Sequence, residues 1–140
     1  MRDYPLGTRR PELVTTPSGL HQADVTLDAL REGRLDPDDV RATAETIRRQ
    51  AAVALAAGRT QLAENLMRAA ELASVPSETV LEAYIALRPH RSTAAALEAL
   101  ADRLETEFSA PRTADFVREA LTVYAQRGFL QVDERSPAQI

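Results

Sequence analysis

The side chains of this 140-residue chain that could do chemistry are its histidines and carboxylates. His21 and His90 are its two histidines, and neither has a second ligand at helical spacing, which disfavours metal binding and acid–base catalysis by either. Asp36, Asp38 and Asp39 could suggest a calcium loop, but the bend glycine and terminal glutamate of an EF-hand are missing. We predict instead that Asp36 caps a helix and that the other two aspartates complement its positive end.

Other catalytic patterns are missing from the sequence. The chain has no cysteine, which excludes disulfides, thiolate catalysis and metal sites built on sulfur. It has no lysine, which excludes Schiff-base chemistry, and it has neither a nucleophile elbow nor a glycine-rich phosphate loop. The carboxylates lie where solvated helix faces are expected. We therefore predict that the chain supplies no catalytic, cofactor-binding or metal-binding residue.

The amino-acid composition limits the kinds of partner that the chain is expected to bind. The net charge of −4 disfavours a nucleic-acid partner. Arginine takes every position that lysine or arginine could occupy, and a GC-rich genome would produce this bias. Arginine also suits bidentate pairing with carboxylates at interfaces. The core is thin because much of the apolar content is alanine, so we infer that a larger partner adds stability. No apolar run suits a signal peptide or a membrane span, so we expect a soluble intracellular protein without a membrane partner.

Helical periodicity predicts an all-α fold of about five to six helices. We expect an extended N-terminal arm at 1–23, a helical domain at 24–132 and a flexible tail at 133–140. Prolines and glycines should exclude a regular helix from the arm. This segment is either a disordered leader or an extended arm that lies on another protein, and the family resemblance described below favours the arm.

Apolar stripes and helix breakers place the individual helices. One helix should run from Pro37 to about Ala57, and Gly58 either breaks it or lies inside a longer helix, with a break favoured. Boundary residues of the later helices are Pro76, Pro89, Ser92, Pro111 and Gly128. The expected apolar stripes are Val80, Leu81, Tyr84, Ile85 and Leu87 after Pro76, and Phe116, Val117, Leu121 and Tyr124 on the last helix.

Three stretches carry a resemblance to a known family. Asn65–Ser92 reads NLMRAAELASVPSETVLEAYIALRPHRS, with RAAEL, then a proline, then ALRP followed by RS. DYPL stands at Asp3–Leu6, and Ala114–Arg127 reads ADFVREALTVYAQR. Together they extend over nearly the whole chain. The sequence resembles the small (gamma) subunit of the adenosylcobalamin-dependent diol and glycerol dehydratases.

The resemblance implies a role in the radical dehydration of propane-1,2-diol or glycerol to an aldehyde. The large (alpha) subunit of that family is a barrel that holds substrate and metal ions, and adenosylcobalamin lies between the large and medium (beta) subunits. The small subunit is helical, packs on the large one and supplies no catalytic side chain. The assembly is a dimer of three-chain units. The preferred diol is set by the partner's pocket and not by this chain.

The resemblance also directs attention to two sets of interface residues. These are Asp3, Tyr4, Pro5 and Leu6 in the arm, and Arg88, Pro89 and Arg91 in the ALRP turn. The two arginines bracket a proline corner that would hold both guanidinium groups in a fixed relation to partner carboxylates. Alternatively, they cap the ends of their own helices, where cations are favoured.

The sequence also bears on where the protein is located and on an alternative function. Relatives housed in protein microcompartments can carry a long extension before DYPL, whereas Met1 and Arg2 precede it here, so we expect a free cytoplasmic enzyme. The rival is a free-standing helical adaptor or regulator without catalytic function, for example one that uses Arg48 and Arg49 on a phosphate backbone. The acidic balance disfavours that use.

Overall fold

A computed structural model describes residues 3–131 of the chain. This part is all-α, with seven α-helices and no β-strand, which confirms the predicted fold class. The helices are α1 (Leu6–Arg9), α2 (Leu27–Arg31), α3 (Ala44–Ala56), α4 (Thr60–Leu72), α5 (Ser77–Ala86), α6 (Ala94–Thr106) and α7 (Pro111–Arg127). Three short 3₁₀ turns accompany them, at Pro11–Leu13, Gln22–Asp24 and Pro37–Val40. The predicted tail, 133–140, lies outside the described residues.

The described residues form two compact units that divide between Ala73 and Ser74. In the first unit, α3 and α4 form a helical hairpin. Gly58 lies in the short connection with a left-handed φ of +73°, a conformation that glycine adopts without steric cost. The predicted break at Gly58 is therefore confirmed. The predicted domain limits at 24 and 132 stay a prediction.

The helix predicted from Pro37 to Ala57 is two elements. The 3₁₀ turn ends at Val40, the backbone becomes extended at Arg41, and Thr43 then caps α3 by accepting a hydrogen bond from the amide of Thr46 (3.2 Å). The prediction of one helix is wrong because this second cap starts a new element. Val40, which was expected on the buried stripe, is 76% exposed.

The N-terminal segment contains more helix than its prolines suggested. Pro5 is the N-cap of α1, where no backbone donor is required, and its carbonyl accepts from the amide of Arg9 (2.9 Å). Pro11 begins a 3₁₀ turn for the same reason. Further along, Thr15 and His21 form an isolated antiparallel bridge. The expectation that this segment excludes regular helix is thus wrong at α1.

The second unit is built on the pair α6 and α7. Leu97, Leu100 and Leu104 of α6 are buried, and Ala114 and Val117 of α7 belong to the same cluster. The large apolar side chains of this pair therefore fill its interior, and their burial is the main source of stability in the unit.

Two predicted details of this unit are wrong and one is confirmed. Thr93, not Ser92, caps α6 by accepting from the amide of Ala96 (3.2 Å). Phe116 is 43% exposed because the buried face of α7 runs through Val117 instead. Gly128 ends α7 with a φ of +68°, as its position in the sequence predicted.

Candidate functional site

The side chains with catalytic potential are the histidines and carboxylates. Within residues 3–131, no group of three or more histidine, aspartate or glutamate side chains could hold a metal ion. His21 and His90 are exposed and belong to different units. Asp36 caps the 3₁₀ turn at Pro37–Val40 by accepting from the amide of Asp38 (2.9 Å), so the predicted capping role is confirmed.

Asp39 does more than complement a helix end. Its carboxylate is buried and accepts hydrogen bonds from the amides of Asp36 (2.8 Å) and Ser18 (3.2 Å). Hydrogen bonds from the side chains of Ser18 and Thr16, followed by the Asp36 amide, lower the pKa of Asp39 from 3.8 to about 2. Asp39 therefore fastens the N-terminal segment to the following 3₁₀ turn as an anion.

A second tether joins the N-terminal segment to α3. The guanidinium group of Arg49 donates to the backbone carbonyl of Leu13 and also pairs with Glu45, one turn earlier on the same helix. Asp3 pairs with Arg10 at 3.3 Å within the segment. Leu13 and Ser18 are thus bonded to the rest of the first unit, while the choice between a disordered leader and an arm on another protein stays a prediction.

The predicted arm residues lie beside an apolar groove. Tyr4, Pro5 and Leu6 line one wall, and α3 and α4 supply the rest, including Val53 and Leu62. The groove has a volume of about 710 Å³. Tyr4 keeps 61% of its surface exposed, which is unusual for an aromatic side chain without a partner. The structure thus places three of the four arm residues at one concave surface.

The ALRP turn of the second unit is rigidly held. His90 adopts a left-handed φ of 61°, and its amide donates to the carbonyl of Phe129 (2.7 Å). The hydroxyl of Tyr124 donates to the carbonyl of Leu87, and that of Ser92 donates to the carbonyl of Ala86 (3.0 Å). These bonds fix the path of the turn against the end of α7.

The predicted interface residues Arg88, Pro89 and Arg91 are exposed on this turn. Among the residues that the structure describes, no carboxylate pairs with either guanidinium group, and neither group donates to a helix carbonyl. The alternative that these cations are favoured at the C-terminal ends of their own helices does not need a hydrogen bond and stays open. Their predicted contact with a partner stays a prediction.

Two other arginines of the same unit are fully engaged. Arg118 pairs with Glu98, Asp102 and Glu105 of α6 and with Asp115 of its own helix, at 2.8 to 3.4 Å. Hydrogen bonding to Glu105, and next to Asp102, raises the pKa of Arg118. Arg103 makes a bidentate pair with Glu82 at 2.5 and 3.1 Å, which connects α6 to α5. These arginines stabilise the unit itself.

Comparison with known proteins identifies the family. The family model described as "Dehydratase small subunit" matches residues 1–131. The chain belongs to the dehydratase small-subunit family. It is 46% identical over 132 residues to the propanediol dehydratase small subunit of Citrobacter freundii, covering 94% of this chain and 77% of that protein. The propanediol dehydratase small subunit of Salmonella typhimurium is also 46% identical over 132 residues, covering 94% of this chain and 76% of the relative.

Family membership confirms the resemblance drawn from the sequence. Neither relative supports the free-standing adaptor. All seven predicted interface residues lie inside the matched part of the chain. In residues 3–131, no helix has the length and apolar character that crossing a membrane requires.

Sequence reasoning missed three structural features of this small subunit. Asp39 was predicted as a helix-end charge and not as a tether, since its Ser18 partner is distant in sequence. Arg49 had a visible signal, Glu45 at the spacing of an ion pair within a helix, but its bond to Leu13 had none. The orientation of α5 was also missed, and its consequences are developed below.

Proposed function

We propose that this chain is the small subunit of an adenosylcobalamin-dependent dehydratase that converts propane-1,2-diol or glycerol to the aldehyde. The observation that carries the proposal is the 46% identity, over 94% of the chain, to propanediol dehydratase small subunits. The partners are a large and a medium subunit, and the complete enzyme is a dimer of three-chain units. We propose a cytoplasmic location for this enzyme.

The role of the chain in that enzyme is structural. The coenzyme and substrate belong to the other subunits, and this chain supports the large subunit without supplying a catalytic group. The groove of about 710 Å³ is lined mainly by apolar side chains, which supports a structural role better than coenzyme binding. The groove suits apolar side chains of another protein better.

The contacts with the large subunit are assigned to Asp3, Tyr4, Pro5 and Leu6 and to Arg88, Pro89 and Arg91. Two observations support this assignment: the exposed Tyr4 beside the groove, and the exposed arginines without carboxylate partners in the described part of the chain. Hydrogen exchange of this chain, alone and in the complex, tests it. Amides of segments 3–6 and 87–91 should exchange more slowly in the complex, and unchanged exchange at both would contradict the assignment.

Co-expression tests the function itself. This chain alone carries a tag, and it is produced together with large and medium dehydratase subunits of the same organism. Both subunits should co-purify, and the complex should form aldehyde from propane-1,2-diol only when adenosylcobalamin is added. Glycerol in a parallel assay identifies the preferred diol. If the large and medium subunits neither co-purify with this chain nor lose activity when it is omitted, the proposal fails.

A further inference from the structure

The helix α5 places small side chains inward and its large apolar side chains outward. Its inward face consists of Thr79 and Ala83, which are each 8% exposed. Its outward face carries larger side chains: Leu81 is 58% exposed, Tyr84 69% and Ile85 48%. Large apolar side chains are usually buried, and here three of them lie together on the exposed face of the helix.

The outward side chains form one surface with a charge at each end. Glu78, Leu81, Ile85 and Arg88 follow one another at spacings of three and four residues, and Tyr84 lies beside them. The amide of Arg88 still bonds to the carbonyl of Ile85 (3.2 Å), so the backbone continues near the helical path. The α5 face, as we call these five residues, therefore has an apolar centre, an anionic end and a cationic end.

We propose that the α5 face is a docking surface for the large subunit of the same dehydratase, at a patch of apolar side chains flanked by a carboxylate. The proposal rests on the proposed function, which supplies the partner. Contiguous exposed apolar side chains with a polar rim are characteristic of protein–protein contacts. The partner's apolar side chains would cover Leu81, Tyr84 and Ile85.

The arginines next to the α5 face indicate that the partner carries carboxylates at this contact. Arg103 and Arg118 in the same unit are paired with carboxylates of this chain. Arg88 and Arg91 have no such partner among residues 3–131, and they lie on the turn next to the cationic end. Because the bonds to Phe129 and Tyr124 hold the backbone of that turn, the turn itself need not be ordered on binding, which lowers the entropic cost of association.

The first test uses matched substitutions in the full-length chain. Leu81→Ser is compared with Leu55→Ser on α3, since these leucines are 58% and 59% exposed. The affinity for the co-purified large and medium subunits is measured by titration. We expect Leu81→Ser and Tyr84→Ser each to weaken binding by about tenfold or more, and Leu55→Ser to have a much smaller effect. Circular dichroism and thermal unfolding should show that the variants remain folded, because the substituted side chains are exposed.

The second test addresses the charge. Arg88→Glu should weaken binding by about tenfold, more at low than at high ionic strength, while the same change at Arg48 on α3 should leave binding nearly unchanged. Should a substitution unfold the chain, hydrogen exchange of the unmodified protein decides: amides of 77–88 should become protected in the complex.

The outcomes separate this proposal from the proposed function. If the unmodified chain does not bind the large and medium subunits, the proposed function fails. If it binds and the Leu81 and Tyr84 variants bind equally well, only the docking surface is overturned. Equal losses from Leu81→Ser and Leu55→Ser would also overturn the assignment to α5. So would self-association of the unmodified chain that Leu81→Ser abolishes, since the occupant would then be a second copy.

Discussion

The two units of this small subunit each contain a pair of packed helices, yet they bury different side chains. The α3–α4 pair buries alanine, at Ala51, Ala54, Ala63 and Ala70. The α6–α7 pair buries Leu97, Leu100 and Leu104 against Ala114 and Val117. Small side chains let two helices approach closely but remove little apolar area from water, whereas buried leucines each contribute about 1.5–3 kcal/mol.

The two units therefore derive their stability from different interactions. The first unit supplements its alanine core with polar tethers, in which Asp39 holds the Ser18 turn and Arg49 holds the carbonyl of Leu13. The second unit has a leucine core and a surface network around Arg118. It also presents the α5 face outward. The first unit is thus sensitive to added volume and lost tethers, and the second to lost volume.

Leu104→Ala should cause the largest loss of stability in the isolated chain. Leu104 is fully buried, so truncation leaves a cavity and should lower the free energy of unfolding by about 2–5 kcal/mol, measured by urea denaturation. Leu55→Ala is the control, since Leu55 is 59% exposed and should cost far less. Similar losses in the two variants would contradict the comparison.

Ala70→Leu tests the opposite sensitivity in the first unit. Ala70 has no exposed surface, so the added methylene groups must displace neighbours, at a cost of about 1–3 kcal/mol in the free energy of unfolding. Ala56→Leu adds the same volume at an exposed position near the end of α3 and should be close to neutral. A stabilising effect of Ala70→Leu would show that the alanine pair is not closely packed.

Asp39→Asn should destabilise the first unit in a pH-dependent way. The folded pKa of Asp39 lies near 2 and its ordinary value is 3.8, so the carboxylate stabilises the fold above pH 3.8 and this contribution disappears as the pH falls toward 2. The variant should therefore melt at a lower temperature than the unmodified chain at pH 7, and the difference should shrink between pH 4 and 2. A difference in melting temperature that does not change with pH would contradict the conclusion that Asp39 stabilises the fold as an anion.

Arg118→Gln should have the smallest effect of the four. Removing the arginine leaves Glu98, Asp102, Glu105 and Asp115 to repel one another on an exposed surface, so a small decrease in melting temperature is expected. The decrease should be greater at low ionic strength, where screening is weak. Arg91→Gln provides the control, because Arg91 has no ion pair in the described chain and should not respond to salt in this way.

Short-range signals made the helix boundaries predictable. Asp36, Gly58, Pro111 and Gly128 all stand at element ends, as their positions in the sequence indicated. The Thr43 cap, which divides the predicted helix at 37–57, was missed because the apolar spacing continues across it. The family resemblance was also readable from sequence, since its motifs lie in three long stretches.

What the sequence determined by itself is the all-α class, most of the helix ends and the membership in the small-subunit family. Capping, glycine and proline effects act within one helical turn, so local sequence suffices to specify them. Tertiary structure alone decided which face of α5 is buried, that Phe116 is exposed, and that Asp39 and Arg49 hold the N-terminal segment. Periodicity locates an apolar stripe, but the neighbouring helices decide which side of the helix is buried. In α5, Ala83 packs into the cluster of α6 and α7, whereas Tyr84 is exposed.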